Sequence, residues 1–134
     1  MAWGAPSPAD DDIAGLGGAS YAPGHTAAGA EALIIDHGMV LLDAARTATM
    51  PRGFGAAPGG TTGQLLLHEL GHAVGLAHPL LDDPREIMYP RLTSRATGLG
   101  AGDLAGLRAV GGSAGCLVSD TTPAWLPVSA VPDR

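Results

Sequence analysis

The sequence HELGHAVGLAH, residues 68–78, carries three histidines within eleven positions. His68 and His72 are four residues apart, so on a helix both side chains project from one face, about one turn apart. Two imidazoles at that spacing can share one zinc ion. Gly75 tolerates the left-handed conformation that ends helices, so the chain can turn back and bring His78 to the same ion. The segment therefore predicts a zinc site with three nitrogen ligands.

Glu69 is the predicted catalytic residue of this site, because it directly follows the first ligand. Three protein ligands leave one tetrahedral position for water, which distinguishes a catalytic zinc from a closed structural one. Zinc lowers the pKa of that water to about 7. Glu69 can reach the water rather than the metal and act as general base in peptide-bond hydrolysis. The alternative interpretation is an ordinary helix with incidental histidines.

The histidine motif lies on a segment that has the signals of a capped helix. Residues 61–64, TTGQ, fit a capping box in which Thr61 is the N-cap and Gln64 reaches back to it. The leucines that follow supply a broad apolar face. We expect an active-site helix at about 62–75 and a second, short helix at about 103–110.

The N-terminal half gives weaker local signals. Residues 1–30 show no sustained period and are expected to be loop, with a short extended piece around Ile13–Leu16. Residues 31–43 contain two apolar runs on either side of Asp36-His37-Gly38, which predicts a hairpin or two short strands. Residues 44–60 return to Gly and Pro and are expected to be loop.

Composition limits the classes of protein that remain. The 134 residues correspond to about one small domain, and Gly (21) and Pro (11) make about a quarter of them, so few long elements are expected. The net charge of −6 argues against a phosphate-binding surface, so no nucleic-acid partner is expected. The chain has no run of about 18 apolar residues, so no membrane span is predicted either.

The histidine motif resembles the zinc signature of the metzincin peptidases, which continue into a Met-turn. Here the downstream segment is Glu86-Ile87-Met88-Tyr89-Pro90, with Met88 ten residues after His78. This segment is similar to the Met-turn of matrixin-type metzincins, in which the methionine lies beneath the zinc histidines. The resemblance implies an α/β (α+β) metzincin-like fold with a partial twisted sheet. It implies Zn²⁺ bound by His68, His72 and His78, with Glu69 as general base.

The segment Leu99–Leu107 resembles the start of the matrixin C-terminal helix. Asp103 matches the second of two family aspartates and is implied to support the Met-turn. Position 102 is Gly, where matrixins carry the first aspartate, which clamps the mature N-terminal amine. The chain therefore lacks the family aspartate that binds the N-terminal amine. Pro79 follows the third histidine, where astacins have Glu and adamalysin-like enzymes have Asp, so matrixins are the better match.

The resemblance is clear over 61–111 and weaker over 13–43. The first strand and long helix of matrixin catalytic domains are not recognisable, so we interpret the chain as a domain without them. The implied organisation is a catalytic domain at 1–118 and a Pro-rich tail at 119–134. Within the domain we expect a partial sheet and loops at 1–60, the active-site helix at 61–77 and a C-terminal subdomain at 78–118.

Other residues offer further candidate sites. His25 and His37 are candidates for a second, structural zinc site of the kind matrixins have, or are solvated histidines, since the family's His-x-Asp spacing surrounds neither. Asp10-Asp11-Asp12 can bind Ca²⁺ through carboxylate oxygens, or form a solvated acidic loop. Cys116 is the only cysteine and cannot form an internal disulfide.

Together these features predict a zinc-dependent metalloendopeptidase. The expected substrate is a polypeptide that binds in extended form along an edge strand near residues 31–43. The family is usually secreted, so an extracellular location is expected for the parent protein. The alternatives are a truncated zinc-binding remnant without turnover and a protein-interaction module in which zinc is incidental.

Overall fold

The computed structural model describes residues 2–4, 13–112 and 117–120, which form a mixed α/β fold, as expected. The strands are β1 (Ala2–Gly4), β2 (Gly15–Thr26), β3 (Glu31–Asp43) and β4 (Leu117–Ser119). The helices are α1 (Ala44–Thr49), α2 (Thr62–Ala73) and α3 (Ala101–Leu107), the last followed by an irregular turn at Arg108–Gly112. Asp10–Asp12, Cys116 and the Pro-rich tail beyond Asp120 lie outside the described residues.

The four strands form one sheet in the order β1-β3-β2-β4. β2 is antiparallel to both β3 and β4, whereas β1 runs parallel to β3. The chain reverses between β2 and β3 at 27–30, where the Thr26 amide donates to the Ala30 carbonyl at 2.9 Å. Gly29 has φ +82° in this turn, a conformation that glycine adopts without strain. The β2–β3 hairpin is the largest part of the sheet.

The prediction of a hairpin or two short strands at residues 31–43 was wrong, because β3 is one continuous strand. Ser20 pairs with His37 and Tyr21 with Ile35, so Asp36 is an extra residue in a β-bulge. The Ser20 hydroxyl donates to Asp36 Oδ1 at 2.6 Å and satisfies the carboxylate there. The polar residues between the two apolar runs therefore mark a bulge, which bends a strand without ending it.

The prediction of loop also failed at residues 17–26 and at Ala44–Thr49, whereas the extended piece expected around Ile13–Leu16 coincides in part with the start of β2. β2 is rich in glycine and has little strand propensity of its own, so its conformation depends on pairing with β3. α1 begins where Asp43 ends β3. The Asp43 carboxylate accepts a hydrogen bond from the Arg46 amide at 2.6 Å, which caps this six-residue helix.

The helix predicted at about 62–75 forms as α2, although it ends two residues earlier. The capping box is present, since Thr61 Oγ1 accepts from the Gln64 amide at 3.3 Å and Gln64 Oε1 accepts from the Thr61 amide at 2.7 Å. Gln64 is only 1% exposed, and its Nε2 also donates to the carbonyls of Thr93 and Ala96. One buried amide thus joins the start of α2 to a distant loop.

The described core has two clusters on opposite sides of α2. Buried side chains pack between the sheet and α2 in one cluster, which contains Val40, Leu42, Leu65 and Ala73. The other lies under the end of α2 and contains Leu76, Ile87, Met88 and Ala96. α3 borders the second cluster, but it is shorter than the predicted 103–110 helix. It gives way to the turn in which Gly111 has φ +133°. No helix in the described ranges has the length and apolarity needed to cross a membrane.

We expect Gln64→Ala to destabilise the fold by about 2 kcal/mol, because it removes the Gln64 half of the capping box and leaves buried backbone groups without partners. Chemical denaturation measures this change in the free energy of unfolding. Thr62→Ala, in the same helical turn but outside this network, is the control and should change it by less than about 0.5 kcal/mol. Equal effects of the two substitutions would contradict the proposed role of Gln64.

Candidate metal centre

Three histidines meet at one point beside α2. His68 and His72 project from the helix, and His78 reaches them from the loop that follows it. The Nε2 atom of His78 lies 3.2 Å from Nε2 of His68 and 3.2 Å from Nε2 of His72. One ligand atom from each residue lies within 4.8 Å of the others. The predicted ligands are therefore close enough to bind one metal ion.

The end of α2 brings the third histidine back to the helix. The Gly75 amide donates to the His72 carbonyl at 3.0 Å and the Leu76 amide donates to the Gly71 carbonyl at 2.9 Å. This pair of bonds is a Schellman motif, and it requires the left-handed conformation that Gly75 adopts at φ +92°. The motif reverses the chain within two residues, so His78 returns to the face that carries the first two ligands.

Backbone carbonyls fix the orientation of two of the imidazoles. His68 Nδ1 lies 2.6 Å from the Ile87 carbonyl, and His72 Nδ1 lies 2.8 Å from the Leu76 carbonyl. A carbonyl only accepts hydrogen bonds, so in both rings Nδ1 carries the proton and Nε2 presents a lone pair. Carbonyl partners of this kind are typical of metal-binding histidines.

The protonation of these rings suits metal binding. Burial lowers the pKa of His68 below its ordinary value, although the hydrogen bond to the Ile87 carbonyl opposes this change. Burial also lowers the pKa of His78, and the charge of His72 lowers it further. A lowered pKa favours the neutral imidazole, which is the form that binds metals. Three imidazole nitrogens this close together form a donor set that could hold one metal ion, and imidazole is a ligand that zinc accepts.

Met88 lies directly against the last turn of α2 at Gly71, which stands between His68 and His72 in the sequence. Its side chain is 2% exposed, and a methyl group at position 71 would overlap the Met88 sulfur. Gly71 therefore allows the 86–90 segment to pass close to the helix. Asp103 accepts hydrogen bonds from the amides of Ile87 (2.7 Å) and Met88 (3.1 Å). Met88 thus packs against α2, and Asp103 holds the backbone of the segment that carries Met88.

Glu69 lies under the first residues of β2. It is 5% exposed, and side chains at Gly15 or Gly17 would collide with it or with its backbone. The Gly17 amide also hydrogen-bonds to the Glu69 side chain. Burial raises the pKa of Glu69, whereas the charge of His72 and the bond from Gly17 oppose that rise. The role of Gly15 and Gly17 was not predicted from the sequence, because a Gly-x-Gly spacing alone does not identify the residue that packs on it.

The three histidines and Glu69 open into one cleft of about 510 Å³. One wall is the start of β2 with the preceding residues, 13–17, and the other is formed by 90–92. The expectation that residues 31–43 provide the strand beside the site was wrong. β3 lies inside the sheet between β1 and β2, so β2 borders the cleft instead.

The two remaining histidines have carboxylate partners. His25 Nδ1 lies 2.8 Å from Asp120 Oδ1, and His37 Nδ1 lies 3.1 Å from Asp36 Oδ2. Within the described part of the chain, neither belongs to a group of three potential metal ligands. These contacts give no support to the second zinc site that the sequence analysis considered.

Comparisons with protein-family models, curated proteins and solved structures gave no match for this chain.

The metal site predicts a simple binding experiment. The protein should bind one Zn²⁺. His72→Ala or His78→Ala should weaken zinc binding by more than about 100-fold, because loss of a residue that only orients a metal ligand typically costs about 10–100-fold. Isothermal titration measures both stoichiometry and affinity. His37→Ala, in β3, is the matched control and should bind zinc like the parent. If the parent binds no zinc, or all three variants bind it equally, the site is wrongly assigned.

A second prediction concerns the contact between Gly71 and Met88. Gly71→Ala should destabilise the protein by about 1–3 kcal/mol, because the added methyl group has no space in a packed core. The control is Gly98→Ala, at a glycine with open space around the position of its Cβ. Thermal denaturation compares the two. A Tm that falls equally in both variants would count against close packing at Gly71.

Proposed function

We propose that this protein is a zinc-dependent metalloendopeptidase of the metzincin type, similar to matrixins. The observation that carries the proposal is the convergence of three imidazole Nε2 atoms beside a buried Glu69 in one cleft. His68, His72 and His78 would hold the zinc ion, and Glu69 would be the catalytic residue. The positions of Met88 and Asp103 support the metzincin assignment.

Zinc at this site would supply a Lewis acid that polarises the scissile carbonyl and acidifies water. The residues of the chain perform the remaining tasks. Glu69 takes a proton from the attacking water at its carboxylate and then delivers it to the nitrogen of the leaving amine. Burial raises the pKa of Glu69, which makes it a stronger base than an exposed carboxylate. The Gly17 amide limits the movement of this side chain during the transfer.

The proposed substrate is a polypeptide that binds in extended form. β4 pairs only with Gly24–Thr26 of β2. The rest of the outer edge of β2 has no strand partner in the part of the chain that the structure describes. This open edge runs into the cleft beside Glu69, so a polypeptide that adds to it as a strand passes the histidines. The proposal includes an extracellular location, because the family that the chain resembles is usually secreted.

The proposal predicts that the full chain cleaves unfolded casein in the presence of zinc. Glu69→Gln should reduce the rate by about 100-fold or more, because the amide cannot accept the proton, while zinc binding is retained. The matched control is Glu31→Gln, an exposed glutamate at the start of β3, which should keep the parent rate. The measurement is release of casein fragments, with zinc content determined on the same samples.

Each other result selects an alternative. Equal cleavage by the parent and Glu69→Gln would point to a contaminating peptidase and contradict the role of Glu69. A parent protein that binds zinc but cleaves nothing would favour the zinc-binding remnant without turnover. Absence of both zinc binding and cleavage would favour the protein-interaction module.

A further inference from the structure

Two buried carboxylates hold the segment beneath the metal centre and the start of α3 against each other. Glu86 is 9% exposed and Asp103 is 3% exposed. Glu86 accepts hydrogen bonds from the amides of Gly102 (3.0 Å) and Asp103 (2.8 Å). In return, Asp103 accepts hydrogen bonds from the amides of Ile87 and Met88. Each carboxylate therefore binds the backbone of the segment that carries the other one.

Glu86 is needed because the first amides of a helix have no acceptor within the helix. The N-cap of α3 is Gly100, which has no side chain to supply one. Glu86 provides both of its oxygens to this first turn instead. The arrangement requires glycine nearby, since a side chain at Gly100 would overlap the Glu86 carboxylate. Loss of Glu86 would leave the amides of Gly102 and of the buried Asp103 without this acceptor and release the turn that contains Asp103.

The same contacts continue to a metal ligand. Asp103 holds the amide of Ile87, and the carbonyl of Ile87 accepts the hydrogen bond from His68 Nδ1 at 2.6 Å. Ile87 is 2% exposed, so it has little freedom to move independently. The position of the Ile87 carbonyl therefore depends on Asp103, and the position of Asp103 depends on Glu86. That carbonyl sets both the ring orientation and the tautomer of His68.

We propose that Glu86 is a positioning residue of the metal centre, acting through Asp103 and Ile87 on His68. It does not touch the metal or the reacting atoms. The inference rests on the metal site of the proposed function. It adds a residue outside the histidine motif that controls how well the site binds metal. The expected consequence is a loss of metal affinity in a protein that remains folded.

The test compares metal binding by Glu86→Gln and Glu86→Ala with that of the parent chain. Zn²⁺ affinity is measured by competition with a chromophoric chelator, and the geometry at the metal by the visible absorption of bound Co²⁺. We expect affinity to fall by about 10-fold in Glu86→Gln and up to about 100-fold in Glu86→Ala, with an altered Co²⁺ spectrum in both. Glutamine keeps one acceptor oxygen, which explains the order.

Asp83→Asn is the matched control, because it removes one carboxylate charge from the same loop. Asp83 pairs with Arg85 at the surface, 2.7 Å from Nη2, and makes none of the contacts to α3. Its zinc affinity and Co²⁺ spectrum should equal those of the parent. Circular dichroism tests whether each variant is folded. If Glu86→Ala does not fold, the comparison relies on Glu86→Gln, which keeps the shape of the side chain.

The possible outcomes separate this inference from the proposed function. If the parent binds zinc and Glu86→Gln binds it with unchanged affinity and spectrum, the role of Glu86 is wrong and the metal site stands. An equal loss in Asp83→Asn would show an effect of charge alone and would also overturn the inference. If the parent binds no metal, the proposed function fails first and the inference fails with it.

Discussion

His68, His72 and His78 each place one ring nitrogen within 4.8 Å of the others, and much of the packing around α2 holds them there. Nitrogens at this spacing could share one metal ion. The carbonyls of Ile87 and Leu76 keep two of the rings from turning away. The Schellman motif at the end of α2 returns His78 to the same point. These local contacts hold the three side chains where they could share a metal ion.

Close backbone approaches bring the remaining parts to this point. Gly71 allows the Met88 segment to lie against α2 from below, and Gly15 and Gly17 allow β2 to lie over Glu69 from the other side. α2 is therefore enclosed between a strand and a loop at the level of the histidines. Side chains at these glycines would push the layers apart and open the site. At these three positions glycine is needed because neighbouring segments pack too closely for a side chain.

Buried polar groups, rather than apolar contacts alone, join the distant segments. Gln64 ties the start of α2 to residues 93 and 96, and Glu86 and Asp103 tie α3 to the segment under the metal centre. Each of these side chains satisfies backbone amides or carbonyls that would otherwise be buried without partners. Such bonds are directional, so they fix positions more sharply than hydrophobic packing does. This precision matters most around metal ligands.

The sequence alone was enough to predict α2, its capping box and the spacing of the three histidines and Glu69, because these depend on one helix and its ends. It also indicated Met88 and Asp103, through the resemblance to matrixins. Tertiary contacts were needed to show that residues 31–43 form one bulged strand and that the glycine-rich 15–26 segment is β2, the strand beside the cleft. Strand pairing joins residues far apart in the chain, so local propensity does not reveal it. For the same reason the sequence does not reveal the roles of Gly15, Gly17 and Glu86, which depend on contacts between segments far apart in the chain.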